Sequence, residues 1–133
     1  MTTTTMVPSL PTSYKAAVIE KSNLLLRANL LEAQQQFDEA AELFAKAARA
    51  EAQLAETAQE YGQPDTALVH LVSEMSCWAA AGDTYRALSR GQQLLTLPTL
   101  TPAQRAHIND FVQQLMERRR TWMRSWNYAV AAT

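Results

Sequence analysis

The sequence predicts an all-α fold, an antiparallel bundle of about five helices. Its commonest residues are Ala, Leu, Gln, Glu and Arg, which lose little rotamer freedom in a helix. There are only 3 glycines, and the chain has no long Val, Ile or Thr alternation of the kind that strands need. Apolar residues instead recur at three- and four-residue spacing, separated by short breaks, which is typical of an up-and-down helical bundle.

The chain divides into a short arm and one domain. Residues 1–11 are low in sequence complexity and contain two prolines, so we expect a disordered N-terminal arm. A chain of 133 residues is long enough for one domain with a real core. We therefore expect residues 12–133 to form a single helical domain.

The first two helices are predicted over residues 13–35 and 38–61. We expect Thr12 or Ser13 to cap the first helix, because either hydroxyl can accept from the N–H groups of the first turn. The apolar stripe of this helix leaves Leu26 and Leu30 on another face. The inner face of the second helix predicts these buried positions: Ala40, Phe44, Ala47, Glu51, Leu54, Ala58 and Tyr61.

Three further helices follow, each with its own start or stop signal. Gly62 and Pro64 separate the second helix from a third, which ends at Gly82. Asp83 is expected to cap the fourth helix, in which Gly91 predicts the close approach of a neighbouring helix. Thr101, Pro102 and Gln104 form a strong start signal for a fifth helix that reaches residue 127 or beyond.

The charge distribution is uneven although the net charge is only −1. Residues 30–65 carry eight acidic and two basic side chains, a balance of −6. Residues 86–124 carry seven basic and two acidic side chains, a balance of +5. The small net charge points neither to a nucleic-acid binder nor to an acidic buffer. We expect the acidic second helix and the basic fifth helix to attract one another, within the chain or across an oligomer.

The expected location is cytoplasmic. Cys77 is the only cysteine, so an internal disulfide is excluded and a reducing compartment fits best. No apolar run approaches the ~20 residues that a membrane-spanning helix requires. The N-terminus lacks the basic and apolar regions of a secretory signal.

One stretch resembles a known repeat family. Residues 35–40 followed by Phe44 and Ala47 resemble the second helix of a tetratricopeptide repeat, and residues 80–87 resemble the same turn again. The two turns lie 47 residues apart, from Ala40 to Ala87, rather than a multiple of 34. The resemblance implies degenerate repeats in a bundle closed by the fifth helix, or in a dimer, and the binding of peptides or proteins. The family's Lys and Asn clamp for a peptide carboxylate is not matched.

His70, Glu74 and Cys77 are the candidate metal ligands. Their i, i+4 and i+7 spacing puts them on one helix face, and all three are residue types that bind zinc. A further ligand would have to come from another helix, where His107 and Asp110 are the candidates. The chain has no Glu-x-x-His motif and no glycine-rich phosphate loop. We therefore predict no catalytic residue, no cofactor and no metal, with a small metal-binding helical enzyme as the alternative.

The most unusual surface signal is the run of arginine and aromatic residues over 118–128. We expect Trp122, Met123 and Trp126 to cap the core while the arginines stay solvated. Alternatively the segment binds a protein partner, nucleic-acid phosphates and bases, or a membrane interface. The candidate partner-binding residues are Arg118, Arg119, Arg120, Trp122, Arg124 and Trp126.

The function expected from these observations is that of a non-enzymatic protein–protein interaction module. Such a module would act as a scaffold or adaptor with tetratricopeptide-like helices, and it would bind a protein partner or itself. The first alternative is the metal-binding enzyme that uses His70, Glu74 and Cys77. The second is a nucleic-acid accessory protein that uses the C-terminal Arg and Trp segment.

Overall fold

A computed structural model describes residues 9–132, and within them the fold is all-α. Five helices and no strand are present in this part of the chain, which confirms the predicted antiparallel bundle. The helices are α1 (Thr12–Ala33), α2 (Phe37–Glu60), α3 (Pro64–Ala80), α4 (Thr84–Leu95) and α5 (Pro102–Ala131). The expected N-terminal arm falls mostly on residues 1–8, which lie outside the described residues.

Residues in the left-handed conformation end the first three helices. Gly62 and Gly82 have φ of 69° and 82°, as helix C-termini commonly require. The turn between α1 and α2 has no glycine, and there Gln35 adopts a φ of 62° instead. A residue with a Cβ atom adopts this region at a cost of roughly 1–2 kcal/mol, and the turn is nevertheless as short as the two others.

The N-terminal caps were predicted correctly for two helices and wrongly for one. Asp83 accepts from the backbone N–H of Arg86 at 3.0 Å, as expected for the start of α4. Thr101 and Gln104 form a reciprocal capping box at the start of α5. The cap expected at Thr12 or Ser13 is absent, because α1 already includes both residues and Pro11 occupies the cap position.

Helices pack mainly against their neighbours in the sequence, in the order α1–α2–α3–α4–α5. The second helix has packing partners on both sides and therefore contributes the most buried residues. These are Ala40, Leu43, Phe44, Ala47, Ala48, Glu51, Leu54, Ala55 and Ala58. The predicted inner stripe is thus confirmed from Ala40 to Ala58, including its one charged position, Glu51. Its last predicted member, Tyr61, is not buried, because α2 ends at Glu60 and Tyr61 is the half-buried residue that follows it. None of the described helices is both long enough and apolar enough to cross a membrane.

Gly91 allows α4 and α5 to approach closely, as the sequence predicts. A Cβ atom at this position would lie 2.5 Å from Cγ2 of Val112 and 3.1 Å from Sδ of Met75. Both neighbours belong to a buried apolar cluster with Leu94 and Ile108. Any larger residue would push α5 away from α3 and α4.

The fifth helix is much longer than the helix that covers it. It has 30 residues, whereas α4 has 12. Because the two run antiparallel with Gly91 against Val112, the start of α4 at Thr84, seven residues earlier, faces α5 near residue 119. The remaining 12 residues of α5 extend about 18 Å beyond α4. We call residues 117–131 the α5 overhang, since every one of them is exposed.

Candidate functional site

A buried polar network joins α1, α2 and α3 around Glu51, which is fully buried on the inner face of α2. Its Oε2 atom lies 3.2 Å from Nδ1 of His70 on α3. Its Oε1 atom lies 2.9 Å from the ammonium group of Lys21 on α1. This ion pair offsets part of the cost of burying the carboxylate. The Glu51 carboxylate therefore depends on two neighbouring helices for its stabilisation.

The tautomer of His70 follows from its two partners. A carboxylate only accepts, so Nδ1 carries the proton that is donated to Glu51. In the neutral imidazole Nε2 then accepts from the hydroxyl group of Tyr14, with 2.6 Å between the two atoms. The rings of Tyr14 and His70 meet edge to face, with centroids 5.8 Å apart. Tyr14, in the first turn of α1, is thereby attached to α3.

The Tyr14 hydroxyl is held in its neutral form. Burial raises the pKa of this group, the negative charge of Glu51 raises it further, and the positive charge of Lys21 partly opposes the effect. A hydroxyl with a raised pKa stays protonated at neutral pH, so it can donate a hydrogen bond but is a poor nucleophile. A groove of about 570 Å³ between α1 and α2 passes Tyr14, Lys21 and Lys46. The network lies behind this groove and fastens the first half of α1 to the bundle.

A second polar cluster surrounds Trp78 on α3. The indole N–H donates to Oε2 of Glu74 at 2.9 Å, and Arg90 on α4 forms an ion pair with the same carboxylate at 2.7 Å. The guanidinium groups of Arg49 and Arg86 lie over the indole ring, 5.5 and 4.8 Å from its centroid. These contacts connect α2, α3 and α4, and they leave the Glu74 carboxylate with two partners.

Cys77 is buried in the same region and is unreactive. Burial, and then the negative charge of Glu51, raise the pKa of its thiol to about 11. Reactive cysteines need the opposite, a lowered pKa in an exposed and electropositive setting. The thiol thus packs as a small apolar group in a buried cluster with Trp78.

His70, Glu74 and Cys77 share a helix face, but they do not form a metal site. His70 is bound to Tyr14 and Glu51, and Glu74 is bound to Trp78 and an arginine. Residues 9–132 contain no group of three or more His, Cys, Asp or Glu side chains that could hold a metal ion. The additional candidates His107 and Asp110 are exposed on α5. The metal-enzyme alternative therefore has no ligand set in the part of the chain that the structure describes.

The tryptophans of the α5 overhang do not cap the core, so that expectation was wrong. Trp122 is 62% exposed, Met123 is 44% exposed and Trp126 is 58% exposed. The two indole rings stack on each other, with centroids 6.0 Å apart and planes 8° apart. No helix covers them because α4 begins at Thr84, opposite the start of the overhang.

The arginines of the overhang form no ion pair with the acidic second helix of the same chain, so the expected attraction within the chain is absent there, and attraction across an oligomer stays a prediction. Arg120 and Arg124 share the single carboxylate of Glu117, at 3.1 and 3.4 Å, within α5 itself. Arg118 and Arg119 have no carboxylate partner among the described residues. With four arginines and one glutamate, the overhang carries a charge of +3. It is separated from α2 because α3 and α4 lie between them in the packing order.

A groove of about 440 Å³ runs between α4 and the overhang. Its lining combines an apolar floor with cationic and amide side chains. These residues are Leu88, Gln92, Met116, Arg119, Arg120, Met123, Arg124 and Asn127. Three of the six candidate partner-binding residues, Arg119, Arg120 and Arg124, line this groove. Trp122 lies in an adjoining hollow with Tyr85 and Arg119, and Arg118 lies with Trp122 in another.

Sequence reasoning missed the network around Glu51, although one signal for it was present. A glutamate on an otherwise apolar inner face must find a cation or a hydrogen-bond donor, because a buried unpaired carboxylate is very costly. That requirement predicts partners on the adjacent helices but does not name Lys21, His70 or Tyr14. Only the packing of α1 and α3 against α2 identifies them.

No match was found when the chain was compared with models of known protein families, with curated proteins and with solved structures. The resemblance of residues 35–47 to a tetratricopeptide helix therefore stays a prediction. The function proposed below is inferred from the geometry of the polar network and of the α5 overhang.

Proposed function

We propose that the chain is a non-enzymatic protein–protein interaction module, a scaffold or adaptor with tetratricopeptide-like helices, that docks a partner protein on the α5 overhang. The observation that carries this proposal is the continuation of a core-forming helix face beyond the core. Ile108, Val112 and Leu115 are the buried residues of α5. The same face continues at Trp122 and Trp126, which are exposed.

Helical geometry places these residues on one side of α5. Trp122 follows Leu115 by seven residues and Trp126 follows it by eleven, so all three lie close to one line along the helix. Exposed apolar patches of this kind mark interaction sites in soluble proteins. Trp and Arg are also the residue types most enriched among interface residues that contribute most to binding free energy.

The overhang is also well prepared for binding. The two stacked indole rings restrict each other's rotamers, and the helical backbone already orders the segment. Little conformational entropy is then lost when a partner binds. A preformed aromatic surface on a rigid helix supports docking rather than a flexible recruitment arm.

The non-enzymatic part of the proposal is supported by the state of the polar side chains. His70, Glu51 and Tyr14 are bonded to one another, and the pKa of the Cys77 thiol is raised to about 11. Both ring nitrogens of His70 are occupied, one by Glu51 and the other by Tyr14, so the imidazole offers no free nitrogen to a substrate or a metal ion. A single cysteine, kept as a thiol, fits the cytoplasmic location that forms part of this proposal.

Site-specific photo-crosslinking in cells that express the chain tests the proposal. A photoreactive residue is placed at Trp122 or Trp126, and matched controls carry it at Leu26 or Leu30, which are exposed and apolar on α1. We expect protein adducts of discrete mass at positions 122 and 126 that are absent from both controls. Equal adducts at all four positions, or none at any position, would reject the overhang as the docking surface.

Light scattering and a polyanion column separate the remaining alternatives. A loss of mass in the Trp122→Ala, Trp126→Ala variant, with helicity intact, would assign the surface to self-association. Retention of the wild-type chain on the polyanion at 150 mM salt would favour nucleic acid, since such binding weakens steeply with salt. For a protein-binding module we expect unchanged mass and no retention at that salt concentration.

A further inference from the structure

We propose that the partner element is an acidic amphipathic α-helix, which docks in the groove between α4 and the α5 overhang. The inference rests on the proposed function and adds the chemical class of the partner. It follows from the shape of the groove, from the spacing of its apolar residues and from the shortage of carboxylates around its arginines.

The shape of the groove favours a helix. One wall is the stretch of α5 from Met116 to Asn127, and the other is formed by Leu88 and Gln92 of the antiparallel α4. No strand edge exists in residues 9–132 to which an extended peptide could pair. On α5 the apolar positions Met116 and Met123 are seven residues apart, or about 10.5 Å along the axis. Apolar residues at i and i+7 of a second helix have the same separation. Methionine side chains adapt to the anchors that such a helix presents.

The charge of the groove favours acidic residues on that helix. Arg119, Arg120 and Arg124 line it, and the one carboxylate in the overhang is that of Glu117. Arg120 and Arg124 share this carboxylate, one bond to each of its oxygens, so most of their donors face solvent. A guanidinium group binds a carboxylate best with two parallel N–H bonds. Asp or Glu residues flanking the apolar face of the partner would supply those acceptors.

A second copy of the chain fits the groove less well. Two overhangs would bring together charges of +3 and +3, which repel each other. The acidic second helix of another copy has the carboxylates, but its apolar face is already buried in its own core. A nucleic acid would satisfy the arginines but would leave the floor formed by Leu88, Met116 and Met123 without an apolar partner.

An unbiased peptide selection tests the inference. A displayed library of randomised 18-residue peptides is selected on the immobilised wild-type chain, and individual winners are synthesised. We expect winners with apolar residues at i, i+3 or i+4, and i+7, with Asp or Glu beside them, and with helical circular dichroism when bound. Basic, proline-rich or non-helical winners would overturn the inference.

Charge variants then test whether the selected peptides bind at the arginines of the groove. Arg119→Glu, Arg120→Glu should weaken the winners at least about 30-fold, the effect of a 2 kcal/mol contact. Arg27→Glu on α1, an exposed arginine outside the groove, should leave affinity unchanged. Equal affinity for wild type and the double variant overturns the inference.

The results distinguish a failure of the acidic-helix inference from a failure of the proposed function. Winners that depend on Trp122 and Trp126 but are not acidic helices overturn only the partner class. Winners that ignore the whole overhang, or the absence of any winner, overturn both. A single-stranded oligonucleotide that displaces every winner at 150 mM salt, or a dimer that requires Met123, also overturns the acidic-helix assignment.

Discussion

The polar network around Glu51 and the α5 overhang both reverse the usual rule of burial, since the network buries charged and polar side chains and the overhang exposes large apolar ones. In the network a carboxylate, an imidazole and an ammonium group are inside, where three helices surround them. In the overhang two tryptophans and a methionine are largely exposed, because α4 reaches only the beginning of this segment and does not cover them. The comparison teaches that burial in this protein depends on whether another helix lies opposite, more than on residue polarity.

The two regions should therefore respond to mutation in opposite ways. A polar residue in the network should control the free energy of unfolding, because its loss leaves buried partners unpaired. An aromatic residue in the overhang should control binding, because it contributes little to the core. Four variants or conditions test this contrast, starting with the largest effect.

Glu51→Ala should have the largest effect on stability. Removing the carboxylate leaves Lys21 and His70 without their buried partner, and breaking a buried pair of this kind costs about 3–5 kcal/mol. Urea unfolding followed by circular dichroism measures the loss. Glu51→Gln, which keeps the volume and an acceptor for His70, should lose less. A loss below about 1 kcal/mol for the alanine variant would contradict the structural role of the network.

Alkaline pH should destabilise the chain through Cys77. The folded-state pKa of this thiol is raised to about 11 from its ordinary value of 9.0. Its stabilising contribution is therefore fully present below pH 9 and is lost as the pH rises to 11, by at most about 3 kcal/mol. Unfolding curves at pH 8, 9, 10 and 11 measure this loss. Cys77→Ala is the control, because it isolates the thiol from Tyr14, and identical pH dependence of the two proteins would contradict the assignment.

Tyr14→Phe should have a moderate effect. The variant keeps the aromatic ring and removes only the hydroxyl that donates to Nε2 of His70, a bond worth about 1 kcal/mol. Tyr61→Phe is the matched control, because Tyr61 is a half-buried residue whose hydroxyl makes no hydrogen bond among the described residues. We expect a shift of the urea midpoint for Tyr14→Phe alone. Equal shifts in both variants would mean that the bond to His70 contributes nothing specific.

Trp122→Ala, Trp126→Ala should have the smallest effect on stability. Both side chains are mostly exposed, so the free energy of unfolding should change by no more than about 0.5 kcal/mol. Trp78→Ala is the contrasting variant, and loss of this buried indole should cost about 3–5 kcal/mol. Thermal unfolding of the three proteins gives the comparison. A large loss in the double variant would show that the overhang belongs to the folding core.

Much of the fold could be predicted because its signals are local. Helix caps form within one turn of the helix, as they do at Asp83 and at Thr101 with Gln104. A helix ends where one residue adopts a positive φ, as Gly62 and Gly82 do. The nearby sequence is therefore sufficient to predict these positions. Gly91 was correctly assigned to a close helix approach, although the sequence does not name Val112 as the contacting residue. The cap expected at Thr12 or Ser13 was wrong because the helix begins one residue earlier than the pattern suggests.

The candidate site could be predicted only in part. The sequence indicated the Arg and Trp segment as a candidate surface. The same apolar periodicity, however, is found on a buried helix face and on an exposed one. Trp122 and Trp126 were therefore predicted to be buried, although they are exposed. His70, Glu74 and Cys77 were correctly placed on one helix face. Their partners, Tyr14, Glu51 and Arg90, come from three other helices and could not be read from spacing along α3.

The sequence by itself determined where the helices begin and end, which faces are apolar and that Glu51 lies on an inner face. These properties depend on backbone preference and on the 3.6-residue period, both of which act over a few residues. Tertiary structure alone decided which apolar faces are covered. Because α4 starts at Thr84 and α5 continues to Ala131, the helix lengths expose the overhang, and the three-helix junction around Glu51 is closed by residues distant in the chain.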